Sequence, residues 1–192
     1  MDPVTSLYSP PQSLAVVFLS SGVLAVVVAM QAARYRQWPI WRYLSFTMIA
    51  VAIWCFGDGM LFLSDDVEAR RFWLTFAFIG RMAGVPLVCF FAIYFAHLER
   101  WLTRTVQWII LAPLLLAIAL AVTNPWHGLI WEVDVAPLGL TGAPGHGAYF
   151  YIVMPIIYTI LTATIVIFLQ SVWRLRHVYR QQAIVLTIAL FL

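Results

Sequence analysis

Five stretches of apolar residues, each long enough to cross a bilayer, alternate with short polar breaks along the chain. They cover about residues 14–33, 43–63, 72–95, 102–122 and 149–172. Each meets the roughly 20 residues that a helix needs to span a hydrocarbon core. A further apolar stretch, 182–192, covers only about 16 Å at the helical rise, about half a bilayer. The pattern predicts an all-α fold: a polytopic transmembrane helix bundle with five complete spans and part of a sixth, the chain ending inside a helix. Pro86, Pro113 and Pro155 fall within the third, fourth and fifth spans, where a missing N–H and a ring clash favour bends.

The polar breaks carry the topology. Arg34, Arg36 and Arg42 follow the first span, Arg100 and Arg104 the third, and Arg174, Arg176 and Arg180 the fifth, with Glu99 the one acid among them. On the other side, Arg70 and Arg71 face Asp2, Asp65, Asp66, Glu68, Glu132 and Asp134. Positive charge near span ends stays in the cytoplasm. The N-terminus and the long break at 124–147 are therefore expected outside, in a multi-pass protein of the plasma membrane. Asp65, Asp66, Glu68, Arg70 and Arg71 read as a short polar link between the second and third spans.

Composition narrows the class further. Hydrophobic residues make up 64% and charged residues 10%, far from the roughly one-quarter charged share of soluble domains. Cys55 and Cys89 both lie in apolar runs, so they read as small buried hydrophobes and not as a disulfide framework. Every strongly basic residue is Arg, which leaves no lysine for a Schiff base and no simple case for bound retinal. The first twelve residues hold an Asp, three Pro and no base, unlike the positive start of a cleavable signal peptide. No cofactor is implied, and nothing suggests nucleic acid. The basic ends of the spans are expected at lipid headgroups.

Candidate chemistry is sparse. Asp58 and Arg81 are the two charges committed to the bilayer, away from the span ends, and such residues face the bundle interior and pair. Asp58 lies about 9 Å below Ser64 along its helix, and Arg81 can reach outward along its stem. A pair between the second and third helices is expected. It reads either as a structural clamp or as the floor of an outward-facing ligand pocket. Arg81→Leu separates the two readings: altered signalling with folding intact favours the pocket, and loss of membrane expression favours the clamp.

The long loop opens with Thr123-Asn124-Pro125-Trp126-His127-Gly128-Leu129-Ile130-Trp131. Pro125 and Gly128 are turn formers, while Trp126 and Trp131 suit the membrane interface. The loop reads as a compact segment pinned at the surface, and functionally as a cap facing a ligand. His127, His146, Glu132 and Asp134 match no compact metal-ligand spacing, so no metal is expected. Tyr149 and Tyr158 belong, with Trp54, Phe56, Trp73, Phe76 and Phe78, to an aromatic group near the outer half. Some of these rings could line a pocket between helices. The ligand candidates are therefore Asp58, Arg81, Trp126, His127, Trp131, Tyr149 and Tyr158. No catalytic constellation emerges.

Three segments together resemble a known family. They are Trp54-Cys55-Phe56-Gly57-Asp58-Gly59 with Trp73, Ile79-Gly80, Pro86 and Tyr94; the Thr123–Trp131 loop; and Arg176-His177-Val178-Tyr179-Arg180-Gln181-Gln182. Their order is similar to that in the N-terminal seven-transmembrane sensor region of bacterial and archaeal histidine kinases. Asp58 stands where a Glu is expected, and Arg81 where a neutral residue is usual. The resemblance implies a seventh helix, a transmembrane sensor domain over 1–192 that is incomplete at its C-terminus, and a cytoplasmic histidine kinase or diguanylate cyclase. It also implies sensing of a small ligand or membrane cue, and a homodimer formed through the cytoplasmic part. The alternatives are a transporter or channel subunit, for which paired repeats with broken helices would be the sign, and a passive membrane anchor.

Overall fold

The computed structural model describes residues 12–35, 37–131 and 145–174. Five helices follow one another: α1 (Gln12–Ala33), α2 (Pro39–Leu63), α3 (Val67–Phe95), α4 (Arg104–Val122) and α5 (Ala148–Arg174). All five are long and apolar enough to cross a membrane. This is the all-α transmembrane bundle that the hydropathy pattern predicts. Single 3-10 turns lie at Glu99–Trp101 and Asn124–Trp126. The expected sixth apolar stretch, the Arg176–Gln182 motif, Glu132 and Asp134 lie outside the described residues.

Local chemistry explains the helix ends. Pro39 stands in the first turn of α2, where its missing N–H costs nothing and its backbone angle is already helical. The Asp66 carboxylate accepts the Ala69 N–H at 2.9 Å and caps α3. Glu68, Arg70 and Arg71 are therefore helical, and the polar link expected between spans shrinks to Ser64–Asp66. The correction has a clear cause: a carboxylate at an N-cap satisfies a free N–H and favours the positive end of the helix. At the other end of α3, His97 has a φ of 55°. The Leu98 N–H reaches the Ile93 carbonyl at 2.9 Å and the His97 N–H reaches Tyr94 at 3.2 Å. This is the bond pattern of a left-handed C-cap, filled here by a histidine instead of the usual glycine.

Helix α3 forms the centre. Of its most apolar stretch 61% is buried, against 17% for α4 and 22% for α1 and α5. It packs on α2, α4 and α5, while α1 packs on α2. The α1–α2 seam is made of small residues: Ala15, Ala25, Ala29 and Ala32 are buried, and a Cβ on Gly59 would come within 2.8 Å of the Leu19 side chain. In a bilayer, where apolar side chains gain little from leaving lipid, such seams hold helices by close van der Waals packing.

The core divides by depth. Toward the loop side, Phe78, Met82 and Val85 of α3 meet Leu114 and Ala117 of α4, Val153 and Ile157 of α5, and Ile130 and Trp131 of the loop. Toward the arginine-bearing side, Phe91 packs with Phe168, and Cys89 and Phe90 with Leu102.

Candidate functional site

The α2–α3 interface is tight because glycines remove the side chains that would separate it. A Cβ on Gly57 would sit 2.6 Å from the Ala77 nitrogen, and one on Gly80 would sit 2.5 Å from the Trp54 nitrogen. The two backbones thus approach closely on either side of one polar cluster.

Within that cluster, Arg81 Nη2 donates to both carboxylate oxygens of Asp58, at 2.5 and 2.6 Å. Trp54, one turn before Asp58 on α2, donates its indole N–H to Asp58 Oδ2 at 2.6 Å. The guanidinium carbon lies 5.4 Å from the centroid of the Trp54 ring, within the range of a cation–π contact. The Asp58 side chain is 7% exposed and that of Arg81 37%. The carboxylate is therefore the member committed to the interior, and the guanidinium its link to the surroundings. The structure brings Asp58 and Arg81 together as depth along the helices predicts. Trp54 completes the cluster, and its role is readable from the four-residue spacing to Asp58.

The loop is organised by a residue that sequence reasoning passed over. Buried Asn124 accepts the N–H groups of Ile130 and Trp131 at its Oδ1, at 2.8 and 3.0 Å, and donates through Nδ2 to the Trp131 carbonyl at 2.9 Å. Its own carbonyl accepts from His127 and Gly128. Gly128 has a φ of 62°, a conformation that glycine takes at little steric cost. Gly147 then passes under the loop: its N–H donates to the Ile130 carbonyl, and the Tyr149 N–H donates to the Leu129 carbonyl, both at 2.9 Å. Trp131 and His146 form an antiparallel bridge.

The remaining candidates separate into three places. His127 is engaged within the loop: Nδ1 accepts from the Leu129 N–H at 3.1 Å, and Nε2 lies 2.9 Å from Thr123 Oγ1. That hydroxyl also donates to the Ala119 carbonyl at 2.9 Å, an arrangement that matches a proton on Nε2. Trp126 is 85% exposed. Trp131 is buried and meets Phe78 of α3 edge-on, with ring centroids 5.2 Å apart. Tyr149, packed against the same cluster, donates its hydroxyl to the Pro113 carbonyl of α4 at 3.2 Å. Tyr158 is 66% exposed on α5, apart from the others. Phe56, Trp73 and Phe76 line an apolar crevice between α1, α2 and α3, and neither Asp58 nor Arg81 is among its walls.

One connection joins the loop to the charged cluster. Phe78, against which Trp131 rests, precedes Arg81 by three residues, one turn along α3. Trp131 therefore contacts the same turn of helix that holds the guanidinium.

The family model described as the N-terminal 7TM region of histidine kinase matches residues 16–192. No curated protein and no solved structure matches the chain.

Proposed function

We propose how a cue is taken up by this chain, which belongs to the family of N-terminal seven-transmembrane regions of histidine kinases. The region is a membrane-embedded sensory input domain and carries no catalytic module of its own. In our reading the 124–147 segment faces outside, and a small ligand or membrane cue acts there on Trp126, His127 and Trp131. The cue favours one packing of Trp131 on Phe78 over another. Helix α3 shifts in response, and the Asp58–Arg81–Trp54 cluster sets the balance between two relations of α2 to α3. A ligand moves such a balance only by its difference in affinity for the two states. Pro86, Pro113 and Pro155 supply bending points, and the output is a cytoplasmic histidine kinase or diguanylate cyclase acting as a homodimer.

The observation that carries this reading is the placement of Phe78 and Arg81 on one turn of α3, the first touching the loop and the second the buried carboxylate. Arg81→Lys tests it. The charge stays beside Asp58, so no carboxylate is left uncompensated, but the planar group over Trp54 is lost. We expect wild-type amounts in the membrane and a several-fold change in the output of the full-length protein. An unchanged output, or protein missing from the membrane, would return the cluster to a structural clamp.

The orientation has its own test. Single cysteines at Gln37 and Trp126, both exposed, should react with a membrane-impermeant maleimide on opposite sides of intact cells. Trp126→Cys labels from outside, and Gln37→Cys only after permeabilisation. Native Cys55 and Cys89 are buried and should give little background. The reverse pattern would invert the topology.

A further inference from the structure

The crevice between α1, α2 and α3 has a volume of about 730 Å³, within the roughly 300–1,000 Å³ of small-molecule sites. Ala29, Ser45, Ile49, Ile53, Phe56 and Trp73 are among its walls. The Ser45 hydroxyl is committed to the Ala29 carbonyl at 3.0 Å, and apart from the indole of Trp73 the other wall residues are aliphatic, methionine or phenylalanine. Along α2 the lining runs from Ser45 to Met60, about 22 Å at the helical rise. That is longer than the about 15 Å of one hydrocarbon leaflet.

The rim is charged where the crevice ends. Ala33 and Ser45 belong to the lining. Arg34 directly follows the first and Arg42 precedes the second by three residues, both exposed. Neither makes an ion pair among the described residues, and the sequence carries no carboxylate between Asp2 and Asp58. An apolar slot with a cationic mouth at one membrane face complements an amphiphile with an anionic head.

We infer that the α1–α2–α3 crevice binds one anionic phospholipid, with an acyl chain along Ile49, Ile53 and Phe56 and the phosphate at Arg34 and Arg42. The lipid comes from the leaflet on the side of the α1–α2 turn, and the inference holds whichever side that is. A chain filling the crevice is held straighter than its neighbours in the leaflet, because the slot is longer than a leaflet is thick. The site is separate from the cue proposed for the outer loop.

Native mass spectrometry of the full chain, released from vesicles of equal parts phosphatidylglycerol and phosphatidylethanolamine, tests this. Wild type should retain one phosphatidylglycerol per chain. The double variant Arg34→Gln/Arg42→Gln changes only exposed side chains and should lower that retention about thirtyfold, since each basic group near a membrane surface contributes about 1 kcal/mol. Ile49→Trp projects from a half-exposed position into the slot and should abolish retention of either lipid. Equal retention of both lipids by wild type, or retention indifferent to both variants, overturns the inference. An empty wild-type crevice, with Ile49→Trp dissociating a dimer, would assign the surface to a second copy instead.

Discussion

Gly80→Ala destabilises the protein by about 1–3 kcal/mol, the usual scale for overpacking a filled interior, whereas Gly84→Ala, one turn further along α3, is neutral or stabilising. The contrast comes from what each new methyl meets. At Gly80 it would lie 2.5 Å from the Trp54 nitrogen and 2.7 Å from the Ala50 carbonyl oxygen, both of them backbone atoms of α2. No rotamer change relieves that contact, so the helices must part. At Gly84 the nearest atom is the Ala50 Cβ at 3.8 Å, an ordinary van der Waals distance, and replacing a mid-helix glycine by alanine gains up to about 1 kcal/mol. Unfolding titrations of the two variants in lipid nanodiscs measure the difference. Because Trp54 also holds Asp58, Gly80→Ala should weaken the Asp58–Arg81 pair while leaving both of its members in place. Equal stabilities for the two variants would mean that α2 and α3 are not in this contact.

Asn124→Ala has a comparable effect on the other half of the site. It removes three hydrogen bonds at once and strands the N–H groups of fully buried Ile130 and nearly buried Trp131. A buried group left unpaired costs about 1–3 kcal/mol, so the loop should lose about 3–5 kcal/mol of local stability. Hydrogen exchange reads this directly: the Ile130 and Trp131 amides should exchange faster by two orders of magnitude or more, while those of α2 and α3 keep their protection. His127→Ala, at an exposed position, should change these amides far less. Unaltered protection in Asn124→Ala would show that Gly147 and Tyr149 suffice to hold the loop.

The five spans were legible because hydropathy integrates over some twenty residues and tolerates errors at single positions. The start of α3 was misplaced because hydropathy alone counts Glu68, Arg70 and Arg71 as outside the helix. The cap chemistry of Asp66 puts them inside. Asp58 and Arg81 were legible as partners, since charge at depth is rare enough to stand out. Asn124 was not, because a polar residue in a polar loop carries no contrast; its importance lies in burial, which only the folded loop creates. Gly80 appeared in the sequence as one small residue among many, and the close approach of Trp54 distinguishes it. Tyr158 shows the reverse problem. An aromatic residue on a membrane helix looks the same in sequence whether it faces a pocket or lies exposed.

The ion pair also bears on how the chain enters the bilayer during synthesis. Taken alone, α3 carries a guanidinium near its middle, and inserting such a group costs about 2.5–3.5 kcal/mol on translocon scales. Asp58 lies 23 residues earlier, on the helix that leaves the ribosome first. When α3 arrives, its counter-ion is already in place on α2, and the close approaches at Gly57 and Gly80 let the two helices pack around the pair. The α2–α3 hairpin is therefore the natural unit of insertion: two helices that each carry an awkward charge become, side by side, a segment with no net charge at depth.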